Sequence, residues 1–183
     1  MSKFKRYLGF LVWAALALPM IALVLVSYLL APVIALPFFV RMVGGREYLV
    51  RWLYWFQTFD NPLDEGYYGN YGLSEWVNRF RADYASSGLC KYMFRVYWLW
   101  RNPVYGFARH LFGVSCTSVS YIYRRAEKDF LAVSDEAGWF TPFQFRGHIL
   151  GAYAYIGWKL TMGFKDGSPK KMYCVQINPF RKG

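Results

Sequence analysis

The stretch from Leu8 to Val40, LGFLVWAALALPMIALVLVSYLLAPVIALPFFV, holds no charged residue in 33 positions, and this constrains the chain more than any other feature. A bilayer core about 30 Å thick needs roughly 20 apolar residues at 1.5 Å each, and an uncharged run this long is hard to hide inside a domain of this size. The segment is expected to be a membrane anchor. Two topologies fit. As a single span, Leu8 to Ala31 makes a helix about 36 Å long, with Pro19 a tolerated kink and Pro32 and Pro37 ending it. As a re-entrant hairpin, two halves turn inside the bilayer and keep Lys3, Lys5 and Arg6 on the same side as Arg41, Arg46 and Arg51, consistent with the excess of Lys and Arg on cytoplasmic flanks. A cleaved signal peptide fits poorly, because the apolar run exceeds an ordinary signal core and no small-x-small cleavage site precedes the next polar stretch.

The remaining 143 residues suffice for one modest domain with its own core. Aromatics are 22% of the chain, which points to a domain lying partly at headgroup depth, where Trp and Tyr are favoured. Of the formal net charge of +11, Lys3, Lys5 and Arg6 carry +3 and leave +8 for residues 41–183. Dispersed basic charge of this kind suits a bilayer with anionic headgroups. Nucleic acid is not expected as a partner, since the sequence has no Lys and Arg run, zinc spacing or nucleic-acid motif. Cys90, Cys116 and Cys174 form no paired framework and read as small buried apolar residues in a reducing compartment.

After Gly44-Gly45, REYLVRWLYWFQTF (Arg46 to Phe59) reads as an interfacial amphipathic helix. Asp60-Asn61-Pro62-Leu63-Asp64-Glu65-Gly66 follows, a helix-ending turn. Its carboxylates, Asp60, Asp64 and Glu65, are candidate ligands for a divalent cation, or else pair with Arg side chains; the spacing does not match an EF-hand. Tyr67 to Gly72, YYGNYG, is an aromatic loop in which Tyr67, Tyr68 and Tyr71 offer rigid contact area. Helices are predicted from Ser74 to Tyr84, with Ser74 as N-cap, and from Leu89 to Trp100. The second ends in Arg101-Asn102-Pro103-Val104-Tyr105-Gly106-Phe107.

The pairing of D-N-P-L-D with R-N-P-x-Y-G-F about 40 residues later resembles a group of uncharacterised small membrane proteins of tailed bacteriophages of Gram-negative hosts. The similarity covers Trp52 to His110, with a weaker echo in Tyr155-Ile156-Gly157-Trp158-Lys159 and in Ile177-Asn178-Pro179-Phe180. In that group glycine follows the second Asp, where this chain has Glu65. The resemblance implies a phage origin and an inner-membrane setting, and it implies no reaction. Physically, the two motifs can be halves of one site. Asp60 and Arg101 can form a buried bridge between two turns, or Asp60, Asp64, Arg101 and Tyr105 can line a polar pocket, with His110 the nearest candidate general base. No G-x-S-x-G, H-E-x-x-H or phosphate loop is present, and no cofactor is expected.

From Cys116 the pattern alternates, through Val119, Tyr121 and Tyr123, then Phe143 and Phe145, then Ala154, Ile156, Trp158 and Leu160, with Phe130 to Val133 and Met172 to Ile177 completing an antiparallel meander of four or five strands. Turns at 134–138 and 165–169 divide them, and one sheet face is expected to stay wet. The fold class is therefore α+β: residues 1–40 an anchor, 41–115 an aromatic helical region at the interface and 116–183 an antiparallel sheet, with 41–183 one domain. The expected function is that of an inner-membrane accessory protein, its soluble region cytoplasmic, binding a host envelope or phage component through Tyr67, Tyr68, Tyr71, Arg101 and Tyr105. The alternatives are a membrane-surface enzyme on a lipid-linked or envelope substrate, using Asp60, Asp64 and His110, and a pore-forming or holin-like homo-oligomer associating through Ala14, Ala15 and Ala17.

Overall fold

A computed structural model describes residues 3–58, 60–68, 81, 83–115, 121–125, 130–134, 144–150, 152–161 and 170–180. The chain mixes helices with small antiparallel sheets and divides into two compact units, one of residues 1–22, 107–177 and 183, the other of residues 23–106 and 178–182. Tyr71, most of the helix predicted from Ser74 to Tyr84, Cys116, Val119, the turns at 135–138 and 165–169, and the tail from 181 lie outside the described residues.

Helix α1 (Lys3–Ile34) runs without a break through Pro19. The chain therefore makes no turn between Lys3 and Ile34, and the re-entrant hairpin is corrected to one continuous helix. By length and composition its segment Phe10–Ile34 is able to cross a membrane. Met20, Val24, Ser27, Ala31 and Ile34, spaced three and four apart, form a buried stripe, while Leu11, Leu18, Leu25, Leu29 and Val33 are exposed. A 3-10 turn, Pro37–Phe39, follows α1.

The predicted amphipathic helix over Arg46–Phe59 is replaced by a hairpin and a second 3-10 segment. Strands β1 (Val40–Val43) and β2 (Arg46–Leu49) pair antiparallel, with Val43 opposite Arg46. Gly44 and Gly45 both sit at positive φ, +57° and +75°, the conformation that a two-residue hairpin turn demands and that glycine adopts without a Cβ penalty. Only then does the chain coil, as the 3-10 helix Arg51–Phe56.

The short α2 (Glu65–Tyr68) lies against α3 (Gly88–Arg101); a methyl added at Gly66 would come within 3.2 Å of the Trp98 ring. The observed α3 agrees with the predicted Leu89–Trp100 helix to within a residue at each end. Ser87 caps it by accepting from the Cys90 amide, satisfying one of the orphan donors of the first turn. In this unit Ala31, Ile34, Leu49, Leu53, Leu63, Val96, Trp98 and Leu99 make one apolar core. Burying each of the Ile, Leu and Val side chains there contributes about 1.5–3 kcal/mol.

In the other unit a π-helical turn, Phe107–Leu111, closes on a bond from the Phe112 amide to the Phe107 carbonyl. Strand β3 (Val114–Ser115) follows, then β4 (Tyr121–Arg125), β5 (Phe130–Ser134), β6 (Gln144–Ile149), β7 (Ala152–Thr161) and β8 (Lys170–Asn178). The expected meander is only partly formed. The larger sheet has the order β3-β8-β7-β6, while β4 and β5 make a separate hairpin. The inner strands β7 and β8 are buried on both faces, at Tyr153, Ala154, Tyr155 and Trp158 and at Met172, Tyr173 and Cys174, so the wet face expected of this sheet is not found along them. Trp13 of α1 covers part of β8: its indole donates to the Cys174 carbonyl, the Tyr173 hydroxyl donates to the Trp13 carbonyl, and the two rings stack. Cys90 and Cys174 are both buried and neither is in a disulfide.

At Gly106 the backbone runs close against that of Trp55. A methyl there would meet the Trp55 carbonyl oxygen at 2.6 Å and its Cα at 2.8 Å, whereas one at Gly88 meets nothing within 4 Å. Gly106→Ala is expected to lower stability by about 1–3 kcal/mol through overpacking, and Gly88→Ala to leave it unchanged or raise it by about 0.4–1 kcal/mol. Urea unfolding of the two variants in detergent checks both.

Candidate functional site

The D-N-P-L-D loop is held from several sides at once. Asn61 lends its carbonyl to the Gln57 side-chain amide and to the Thr58 hydroxyl, both at 2.8 Å. The Gln57 side chain in turn accepts from the Leu49 amide at 2.8 Å, and the Leu63 amide donates to the Glu47 carbonyl at 2.7 Å. The preceding 3-10 segment ends at Phe56, capped by Gln57, ahead of the Asn61-Pro62 pair expected to end it, and Leu63 is wholly buried. The loop is thereby sewn onto strand β2 by backbone and amide bonds.

Its carboxylates meet arginine. The Arg46 Nε donates to Asp64 at 3.0 Å and its Nη2 to Glu65 at 2.6 Å, so one planar fork spans two acids. These two of the three candidate cation ligands thus hold the protein's own cation, and a metal ion would have to displace it. Among the described residues no group of three or more His, Cys, Asp and Glu side chains is placed to hold a metal. Burial pushes the Asp64 carboxyl above its ordinary value, against the lowering effect of Arg46. Asp60, by contrast, is exposed. It stands near Tyr54: burial raises the Tyr54 phenol, Tyr48 and Asp60 raise it further, and Arg41 lowers it.

Beneath the loop lies a second ion pair that sequence reasoning missed. Glu47 receives two bonds from Arg95, at 2.7 Å from Nε and 2.6 Å from Nη2, and both side chains are buried. The Tyr84 hydroxyl donates to the same carboxylate at 3.3 Å. Burial and the Glu47 charge push the Tyr84 phenol well up. Tyr84 stacks on Tyr67 with centroids 4.2 Å apart and meets Phe94 edge-on, so Tyr67 belongs half to the fold. Tyr68 is exposed and carries the Arg46 guanidinium 4.5 Å above its ring.

The R-N-P-V-Y-G-F turn is internal. Arg101 and Tyr105 are each only 7% exposed, so they shape the fold rather than offer the contact surface expected of them. Of the two ends of the expected buried Asp60–Arg101 bridge, only Arg101 is buried, its guanidinium 5.3 Å from the Trp98 ring centroid, while Asp60 is exposed. Val104 adopts φ +48°, a strained conformation for a β-branched residue. The Gly106 amide donates to the Gln57 carbonyl, joining this turn to the first loop. The third motif completes it: the Asn178 side-chain amide donates to the carbonyls of Trp100 and Arg101 and its oxygen accepts from the Phe180 amide. Phe180 stacks on Trp100, and its carbonyl accepts from the Tyr97 hydroxyl. His110 is exposed and belongs to the other compact unit.

A model of a family of unknown function (DUF7338) matches residues 5–183. No curated protein and no solved structure matches.

Removing one partner of a buried bidentate pair strands the other's charge. Arg95→Met is therefore expected to cost about 3–5 kcal/mol, and Glu47→Leu combined with Arg95→Met to recover most of it; chemical denaturation of both variants checks the pair. The raised carboxyl of Asp64 gives a pH signature. The folded state keeps that proton to higher pH than the unfolded chain, so the stability it contributes is complete below about pH 3.8 and is lost as pH rises through the raised value. Asp64→Asn is expected to remove this fall, read by unfolding at a series of pH values from 3.5 to 7. Asn178→Ala is expected to cost about 1–3 kcal/mol by leaving buried polar groups unsatisfied, seen as a lower denaturation midpoint.

Proposed function

The chain belongs to that family, DUF7338, and we propose that it is a membrane-anchored accessory protein of tailed-phage type that acts by binding. It sits in the bacterial inner membrane with its soluble region in the cytoplasm, and holds a host envelope or phage component in host takeover, exclusion of other phages or lysis control. The single observation that carries the anchoring is the uncharged segment Phe10–Ile34, a continuous helix with an exposed aliphatic face. Phage origin is supported by the likeness of the D-N-P-L-D and R-N-P-x-Y-G-F motifs to those of phage membrane proteins. Binding is supported by how the first motif spends its charge: Asp64 and Glu65 neutralise Arg46, while the same guanidinium lies over the exposed ring of Tyr68. Aromatic and guanidinium surfaces of this type are well suited to protein contact.

Single cysteines at Ser2 and at Gly183, in a full-length variant lacking Cys90, Cys116 and Cys174, test the arrangement in intact cells with an impermeant maleimide. Labelling at Ser2 alone is expected. Labelling at Gly183 would place the soluble region in the periplasm and overturn the cytoplasmic reading.

A further inference from the structure

In the unit of residues 23–106 and 178–182, the two stretches that flank the β1–β2 hairpin meet just past the end of α1. Phe38 and Phe39 lie with ring centroids 4.3 Å apart, and Phe39 meets Trp52 edge-on at 5.7 Å. The Val50 amide donates to the Phe39 carbonyl at 2.9 Å, which fixes the two stretches together. Despite this ordered packing, Phe38 and Trp52 are 69% and 67% exposed. The basic residues of the same two stretches stand beside them: Arg41 and Arg51 are both exposed, and the Arg41 Nε donates to the Leu49 carbonyl at 3.2 Å, which brings its guanidinium to the stretch leading into Arg51.

Isolated exposed apolar side chains need no explanation, whereas a contiguous aromatic patch marks a contact. Leu25, Leu29 and Val33, in the last turns of α1 before this patch, are exposed as well, so the chain presents apolar side chains to its surroundings along that end of the helix and again directly after it. Aromatic rings rimmed by arginines at the end of a long apolar helix match the layering of a bilayer surface, where aromatic bodies sit at the acyl boundary and cations at phosphate. We infer that Phe38, Phe39 and Trp52, with Arg41 and Arg51, form a collar that docks into the headgroup layer of an anionic leaflet. The inference rests on the anchoring reading and adds to it a fixed depth: the hairpin end of the domain is seated in lipid rather than hung below it.

The test uses the full-length chain without its three native cysteines, reconstituted in nanodiscs of phosphatidylcholine with or without phosphatidylglycerol. An environment-sensitive fluorophore is attached at Phe38→Cys or, for comparison, at the exposed Ala85→Cys. A blue-shifted emission at position 38 is expected, quenched by spin label near the top of the acyl chain and more strongly with phosphatidylglycerol present, while position 85 keeps its aqueous emission. Arg41→Gln with Arg51→Gln is expected to abolish the added effect of phosphatidylglycerol. Aqueous emission at position 38 in a protein that stays in the nanodisc would overturn the collar and leave the anchor standing. A blue shift that no spin-labelled lipid quenches would overturn it in favour of a second copy or another protein on the patch, and equal quenching at both positions would overturn its specificity. Failure of the protein to enter nanodiscs would overturn both readings.

Discussion

The helical unit depends on the pair formed by Glu47 and Arg95. Glu47 lies on the inward side of β2 and Arg95 on the buried side of α3, so the two bonds between them fix a strand against a helix. Ion pairs removed from water gain little net stability over apolar residues of the same volume, but their geometry is exacting. A shift that let the hairpin slide along α3 would expose unpaired charge to the core. The Tyr84 hydroxyl on the same carboxylate extends that constraint to the aromatic cluster of Tyr67, Tyr84 and Phe94.

From this pair the motifs acquire their sense. The backbone of Glu47 accepts from Leu63 and its neighbour Arg46 grips Asp64 and Glu65, so the acidic loop is registered to β2 at adjacent residues. Gln57 then links the loop to β2 through its side chain and to the second motif through its carbonyl, and Asn178 closes the helix end from the third. The three Asn-Pro sequences are thus parts of one scaffold. Acids that look like ligands in one dimension serve as counter-charges in three, because an unneutralised arginine beside a buried loop would be costly.

Such a scaffold gives the chain a rigid layer of aromatic side chains. Aromatic rings bury large areas and stack with defined geometry, and here they join α1 to α3: the Trp100 indole donates to the Tyr28 carbonyl and the Tyr92 hydroxyl to the Pro32 carbonyl. Aromatic side chains of the kind that fasten α1 from one side reappear at Phe38 and Trp52, and there they are exposed.

The sequence by itself determined α1, α3, the Asn-Pro turn and most strand positions, because each is specified by local pattern: an uncharged run, a 3.6 or 2 period, a proline; the Ser87 cap of α3 emerged only in the structure. The hairpin at Gly44-Gly45 was also legible, since two glycines between alternating residues in VRMVGGREYL are a hairpin signature; the aromatic run after it masked the signal. What only the tertiary structure decided is which charges pair. Asp60, Asp64 and Glu65 are alike in sequence, yet one is exposed and two grip Arg46, while Arg95 looks like a solvated charge on a helix face until Glu47 is brought beneath it. Sheet order was equally hidden: β3 joins β8 from more than fifty residues away, and no local pattern encodes which edges meet. Periodicity reports whether a residue faces inward; only packing between distant segments reports what it meets there.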